Sequence, residues 1–156
     1  HFLEQAAHID FYALDNNLHI ADLASYSFLH AGKLSTVHHQ GNAQYLQAIT
    51  APKDHIAFFI SRTGENRRLV EIAELLQERK CKMLLLTAVQ ESTLSRLASE
   101  TLCVATENQF NELGNFVFLV GAKYMIDILF SVLLARHYDT SLQRNEFYEK
   151  FFSNSN

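Results

Sequence analysis

Ser61, Arg62, Thr63, Gly64, Glu65 and Asn66 form the segment of this chain best suited to chemistry. Hydroxyls at Ser61 and Thr63 can donate to phosphate oxygens. Gly64 lets backbone N–H groups approach an anion closely, and a helix starting behind the segment adds partial positive charge. Arg62, Arg67 and Arg68 can add charge-assisted contacts, although from these positions one or more points to solvent. The chemistry on offer is anion binding. Ser, Thr and Asn are also ordinary residues for capping a helix, so the segment reads equally well as a capped helix start.

The elements that must position this segment follow from apolar patterning. Residues 8–14 (HIDFYAL) read as a strand, and 18–30 follow with helical spacing through Ile20, Leu23, Ala24 and Phe28. Residues 33–38 (KLSTVH) are a second, more polar strand, and 43–49 a short helix. Residues 55–60 (HIAFFI) are a third strand, after which Leu69, Ile72, Ala73 and Leu76 mark a helix at i, i+3, i+4 and i+7. A fourth strand spans 82–87 (KMLLLT), a short helix lies near 94–98, and a fifth strand spans 101–105 (TLCVA). A long helix covers about 115–137, and the tail from Tyr138 adds a last short helix. Strands alternating with helices predict an α/β fold, a three-layer α/β/α sandwich around a parallel five-stranded sheet. The polar second strand reads as an edge, which suits the order 2-1-3-4-5. A ligand then meets the loops after strands one and three, which are residues 15–17 and 61–66. Asn16 and Asn17 therefore join the candidate site.

Composition narrows the function. The chain has 156 residues, 48% of them hydrophobic and 19% charged, which suits one domain with a real core. Thirteen Lys plus Arg against seventeen Asp plus Glu give a net charge of −4, unsuited to nonspecific binding of nucleic acid or anionic lipid. Asn66-Arg67-Arg68 is too short a basic run to change that. Cys81 and Cys103 form no CxxC pair or disulfide framework, which fits a reducing cytoplasm while leaving one disulfide open. His38 and His39 are adjacent, so on a strand they face opposite ways and cannot hold one ion. Without HxxxH, HxH or CxxC spacing, no metal is expected. His8 and His55 each open a strand, away from the ligand end, and read as surface residues. His19 is the histidine nearest the expected pocket. Residues 116–135 (FVFLVGAKYMIDILFSVLLA) are long enough to span a bilayer. Lys123 and Asp127 sit near the middle of that stretch, each costing roughly 2.5 to 3.5 kcal/mol there. Spaced i and i+4, they pair instead on a soluble helix, one buried against both a core and a partner.

Three segments carry a family resemblance. Residues 60–66 (ISRTGEN) resemble the I-S-x-S-G-x-T signature of SIS domains, the sugar isomerase modules that bind phosphosugars. Residues 84–104 (LLLTAVQESTLSRLASETLCV) are similar to the segment where a strand ending in Thr leads to a Ser-x-Leu turn and a short helix. Thr87, Ser92, Leu94, Leu97 and Ala98 sit at the matching places. Residues 112–130 (ELGNFVFLVGAKYMIDILF) look like the final SIS helix of RpiR-type transcription regulators, with Gly114 and the Ile126-Asp127 pair at the family spacing. The resemblance implies one SIS domain over residues 1–156 that senses a sugar phosphate. It implies a homodimer or homotetramer, reached through the helices, in the cytoplasm. In RpiR-type regulators a helix-turn-helix domain precedes the module and binds DNA. Residue 1 is His, that domain is absent from this sequence, and residues 1–7 read as the remnant of a linking helix.

Departures from the pattern keep other functions open. Relatives carry Gly-x-Gly-x-Ser after the first strand, where this chain has Ala13, Leu14, Asp15, Asn16 and Asn17. Asp15 places negative charge near an incoming phosphate unless Arg62 or another cation offsets it. Thr63 replaces Ser, Asn66 replaces Thr, and Lys123 replaces a common Gln. Val117 and Phe118 stand where relatives often have Ser-Ser. One alternative is a phosphosugar isomerase, which needs a base to move a proton between adjacent carbons. Glu65, Glu107, Glu112, His19 and His137 have the right chemistry, but spacing fixes no pair. No nucleophile elbow or Walker sequence is present, so no catalytic residue and no cofactor is assigned. The other alternative is a degenerate module kept only for oligomerisation.

Overall fold

Residues 56–60 and 83–86 are apolar at every position, a pattern stable in a strand only where both faces are covered. The computed structural model describes residues 2–104 and 113–153 and places both runs inside a five-stranded sheet. The strands are β1 (His8–Ala13), β2 (Ser35–Val37), β3 (His55–Ile60), β4 (Lys82–Thr87) and β5 (Glu100–Cys103). All pair in parallel, in the expected order β2-β1-β3-β4-β5. The helices are α1 (Asn17–His30), α2 (Gly41–Thr50), α3 (Arg67–Glu78), α4 (Thr93–Leu97), α5 (Gly114–Arg136) and α6 (Tyr138–Ser153).

The period of two along each strand divides the interior into two cores. Ile9, Phe11, Ile56, Phe58, Leu84 and Leu86 pack with α1 and α5. Tyr12, Ala57, Phe59, Met83 and Leu85 pack with α2, α3 and α4. Phe11 stacks on Phe28 and on Phe58, and Tyr12 stacks on Phe59. β1 and β3 are central, so their C-terminal ends open side by side, and the loops leaving them meet.

Several boundaries differ from the sequence reading. β2 is three residues long because it pairs with β1 alone, at the edge. β5 starts at Glu100, and Ala105 lies outside the described residues. α6 is sixteen residues rather than a short turn of helix. Residues 2–5 form turns, with Leu3 and Ala6 buried in the first core. Lys33 holds that segment by donating to the carbonyls of Glu4 and Ala6. Both cysteines are free. α5 has 23 residues and is long and apolar enough to cross a membrane, with a mean hydropathy of 2.0 over its most apolar eighteen-residue stretch. Its Phe118, Ala122, Ile126 and Leu133 are buried in the first core, while Phe116, Val120 and Tyr124 are exposed. Lys123 Nζ donates to Asp127 Oδ2 at 2.6 Å, the expected i, i+4 pair.

His8 and His55 are not the surface residues expected. The parallel register places them side by side on β1 and β3, with rings stacked at 4.8 Å. Between them and α2 lies Asp10, only 3% exposed. Asp10 Oδ2 accepts from His55 Nδ1 and Oδ1 accepts from Gln47 Nε2, both at 2.9 Å. A buried carboxylate needs such partners, and the histidines are recruited to supply them.

Candidate functional site

β3 ends against β4, and that junction holds the base of the loop. Ser61 N donates to Leu86 O, and Thr87 Oγ1 and Ala88 N both donate to Arg62 O, at 3.0 to 3.1 Å. Ser61 is buried, and its Oγ accepts from Gly64 N at 3.1 Å. Gly64 has φ +67°, in the left-handed region, and Ser92 packs directly against it. Leu94 N donates to Gly64 O at 3.0 Å, tying the loop to α4. Asn66 then caps α3 by accepting from Arg68 N and Leu69 N. The capped-helix reading of this segment is thus realised at Asn66. The amides of Arg62, Thr63, Asn66 and Arg67 find no protein acceptor among the described residues. Four free N–H groups around one turn suit an anion.

The loop after β1 faces this turn. Asp15 there has φ +52°, a conformation Asp and Asn tolerate better than most residues. The first amides of α1 are already used: Asn17, Leu18 and His19 donate to the carbonyls of Leu14, Asp15 and Asn16 at 3.1 to 3.2 Å. The amides of Asp15 and Asn16 find no protein acceptor among the described residues, so donors on this side of the site are those two amides and side chains. Asn17 Oδ1 is buried without a hydrogen-bond partner.

Between the two loops lies a cleft of about 210 Å³, lined by Leu14, Asp15, Asn16, Asn17, Ser61, Arg62, Thr63, Asn66, Leu69 and Asn115. A wider cleft of about 590 Å³ adjoins it, sharing Leu14, Asp15 and Asn66 and adding Tyr45, Arg67, Arg68 and Glu71. Tyr45 Oη donates to Glu71 Oε2 at 2.5 Å, and Arg67 Nε donates to Glu71 Oε1 at 2.9 Å. Both bonds favour the charged carboxylate and hold Glu71 below its usual range, while the same contact raises the Tyr45 phenol.

The structure brings Asn16, Asn17, Ser61, Arg62, Thr63 and Asn66 together around the smaller cleft. Gly64 and Glu65 do not line it. Gly64 is used for its backbone. Glu65 turns to α4, where it accepts from Thr93 N at 2.8 Å and Thr93 Oγ1 at 2.7 Å. His19 lines neither cleft. His137 lies past the far end of α5, 3.7 Å from Glu4. Glu107 and Glu112 fall outside the described residues. Asn115 was missed, because only the packing of α5 brings its first turn over the loop, and no spacing signals that.

The Glu65 tie has a readable pH signature. The Thr93 bonds hold the Glu65 carboxyl below its ordinary value of 4.5. A depressed folded value means its contribution is complete above the unfolded value and is lost as pH falls through the folded one. Urea unfolding followed from about pH 6 to about pH 3 should show this loss in the parent chain and a flatter profile in Glu65→Gln. Identical profiles would mean the tie contributes nothing.

Three comparisons bear on this site. A model of the SIS domain family matches residues 2–132. An uncharacterized HTH-type transcriptional regulator of Caldanaerobacter subterraneus subsp. tengcongensis is 26% identical over 137 residues, 88% of this chain and 49% of that protein. The chain thus spans about half the length of the curated relative it matches. The Vibrio vulnificus NanR protein complexed with ManNAc-6P superposes with a TM-score of 0.83 at 23% identity, over 94% of this chain and 56% of that one. The sugar isomerase domain of an RpiR transcription factor from Sphaerobacter thermophilus gives 0.81 at 16% identity, over 95% of this chain and 81% of that one. At these identities the two structures establish a common fold.

Proposed function

Because this chain belongs to the SIS domain family, we propose that it is the sugar-phosphate-sensing effector domain of an RpiR-type transcription regulator. The observation that carries this reading is the turn at 62–67: four of its amides are free among the described residues, and three of their residues, Arg62, Thr63 and Asn66, line a cleft at the C-terminal ends of β1 and β3. A phosphate group takes the amides and Arg62. The sugar extends past Asn16, Asn17 and Asn115. Support comes from the HTH-type transcriptional regulator among its relatives and from a likeness to the NanR protein solved with ManNAc-6P. DNA is reached through a separate helix-turn-helix domain, in the cytoplasm. Copies of the chain associate through the exposed apolar residues of α5 and α6, among them Val120, Tyr124, Phe147 and Phe151. Sugar-phosphate binding shifts that assembly. The isomerase alternative has one local observation in its favour: among the described residues, Asp15 is the only carboxylate lining the smaller cleft.

The test is a thermal-shift panel of hexose, pentose and amino-sugar phosphates with inorganic phosphate as control, run with light scattering to follow mass. A sugar phosphate at a hundredfold excess over its dissociation constant should add about 2.7 kcal/mol. Ser61→Ala and Thr63→Ala should reduce the shift, and product analysis should find no turnover. Conversion of a ketose phosphate would replace this reading with the isomerase. A folded oligomer that no panel member stabilises would leave an assembly module.

A further inference from the structure

Among the described residues that line the smaller cleft, Asp15 is the one that works against a phosphate. Every other group assigned to the anion there is a donor or a cation, and a carboxylate beside a phosphate is repulsive. Among the described residues Asp15 makes no ion pair: Arg62 and Arg68 line the two clefts with it without bonding to it, and Arg67 is engaged by Glu71. Asp15 is exposed and stands where the two clefts join.

Backbone conformation explains a small or amide residue at this position, but not the charge. The φ of +52° is anchored by Leu18 N donating to Asp15 O at 3.1 Å. Glycine would adopt that conformation with less strain, and asparagine equally well. What Asp adds to either is a negative charge and acceptors without donors. A cleft lined both by an anion cradle and by a carboxylate without an ion pair among the described residues complements a zwitterion.

We infer that Asp15 makes the site select sugar phosphates bearing an ammonium group over those with a hydroxyl or acylated nitrogen at that place. The inference rests on the reading of the cleft as a sugar-phosphate site. The ammonium supplies three donors and the opposite charge. A hydroxyl supplies one neutral donor, and an acetamide brings a carbonyl acceptor toward the carboxylate.

Calorimetric titration with glucosamine 6-phosphate, glucose 6-phosphate and N-acetylglucosamine 6-phosphate tests it. The parent chain should bind the first roughly five- to tenfold tighter than the other two, the range of a charged hydrogen bond in a half-open cleft. Asp15→Asn keeps the backbone preference and removes the charge. It should weaken glucosamine 6-phosphate by about that factor and tighten glucose 6-phosphate about two- to fivefold, because the phosphate no longer faces a carboxylate. Damage to the loop would move both in one direction. Equal affinities in the parent, or parallel changes in the variant, would overturn the role of Asp15 and leave the sugar-phosphate reading standing. Binding of none of the three, or of any member of the wider panel, would remove that reading and this inference with it.

Discussion

Gly64→Ala should destabilise the chain by about 2–4 kcal/mol and abolish sugar-phosphate binding, although Gly64 does not line the cleft. Two effects add. A φ of +67° costs an L-residue of order 1–2 kcal/mol. The new Cβ would also overlap Ser92 Oγ and lie 2.6 Å from Ser92 Cβ, so the Ser92 backbone must move. Ser92 is buried and closes the α4 capping box with Ser95, and loss of a cap costs about 0.5–2 kcal/mol. Binding falls because Gly64 N is the donor to Ser61 Oγ and Gly64 O the acceptor from Leu94 N, the bonds that shape the turn carrying the free amides. Denaturant titration and the thermal-shift panel measure the two effects separately. A variant within about 0.5 kcal/mol of the parent that still binds would mean the turn is not held as described.

Asp10→Ala should destabilise by a similar amount, about 2–4 kcal/mol, and leave sugar-phosphate affinity unchanged in the folded fraction. Asp10 is 3% exposed and bonded at 2.9 Å to both His55 and Gln47. Removing one member of a buried charged pair costs about 3–5 kcal/mol when the other charge is stranded. Here the partners left behind are the Gln47 amide and a His55 side chain that is 24% exposed and so reaches water, and the lower figure wins. Asp10→Asn keeps the shape and some of the acceptors and should cost about half as much. A double-mutant cycle with His55→Ala should show coupling of about 1 kcal/mol. Strict additivity would mean the contact carries no energy. The two variants together locate function: both sites support the fold, and only the one at the C-terminal ends of the strands should support binding.

Much of the fold was legible because its signals are local. The runs AFFI and MLLL announced strands covered on both sides, and the spacing of Leu69, Ile72, Ala73 and Leu76 announced α3. Most of the loop 61–66 was legible as one side of a cleft because its polar groups sit within one turn of chain. Its individual roles were less so. Glu65 follows Gly64 in sequence and reads as part of the loop, yet its carboxylate is drawn to Thr93, 28 residues on. The tail beyond Tyr138 carries weak apolar periodicity, and so the full length of α6 was not evident.

By itself, then, the sequence determined the class of fold, the strand order and the segment proposed to meet an anion. Periodicity and capping act between residues within about four of each other, and the order follows from which strands are apolar throughout. Tertiary structure alone decided which amides remain free, that Asn115 closes the cleft from the far end of the chain, and that Asp10 meets His55 across 45 residues. Those facts depend on strand register and helix packing. They arise only once distant segments are pressed together and each buried polar group must find a partner.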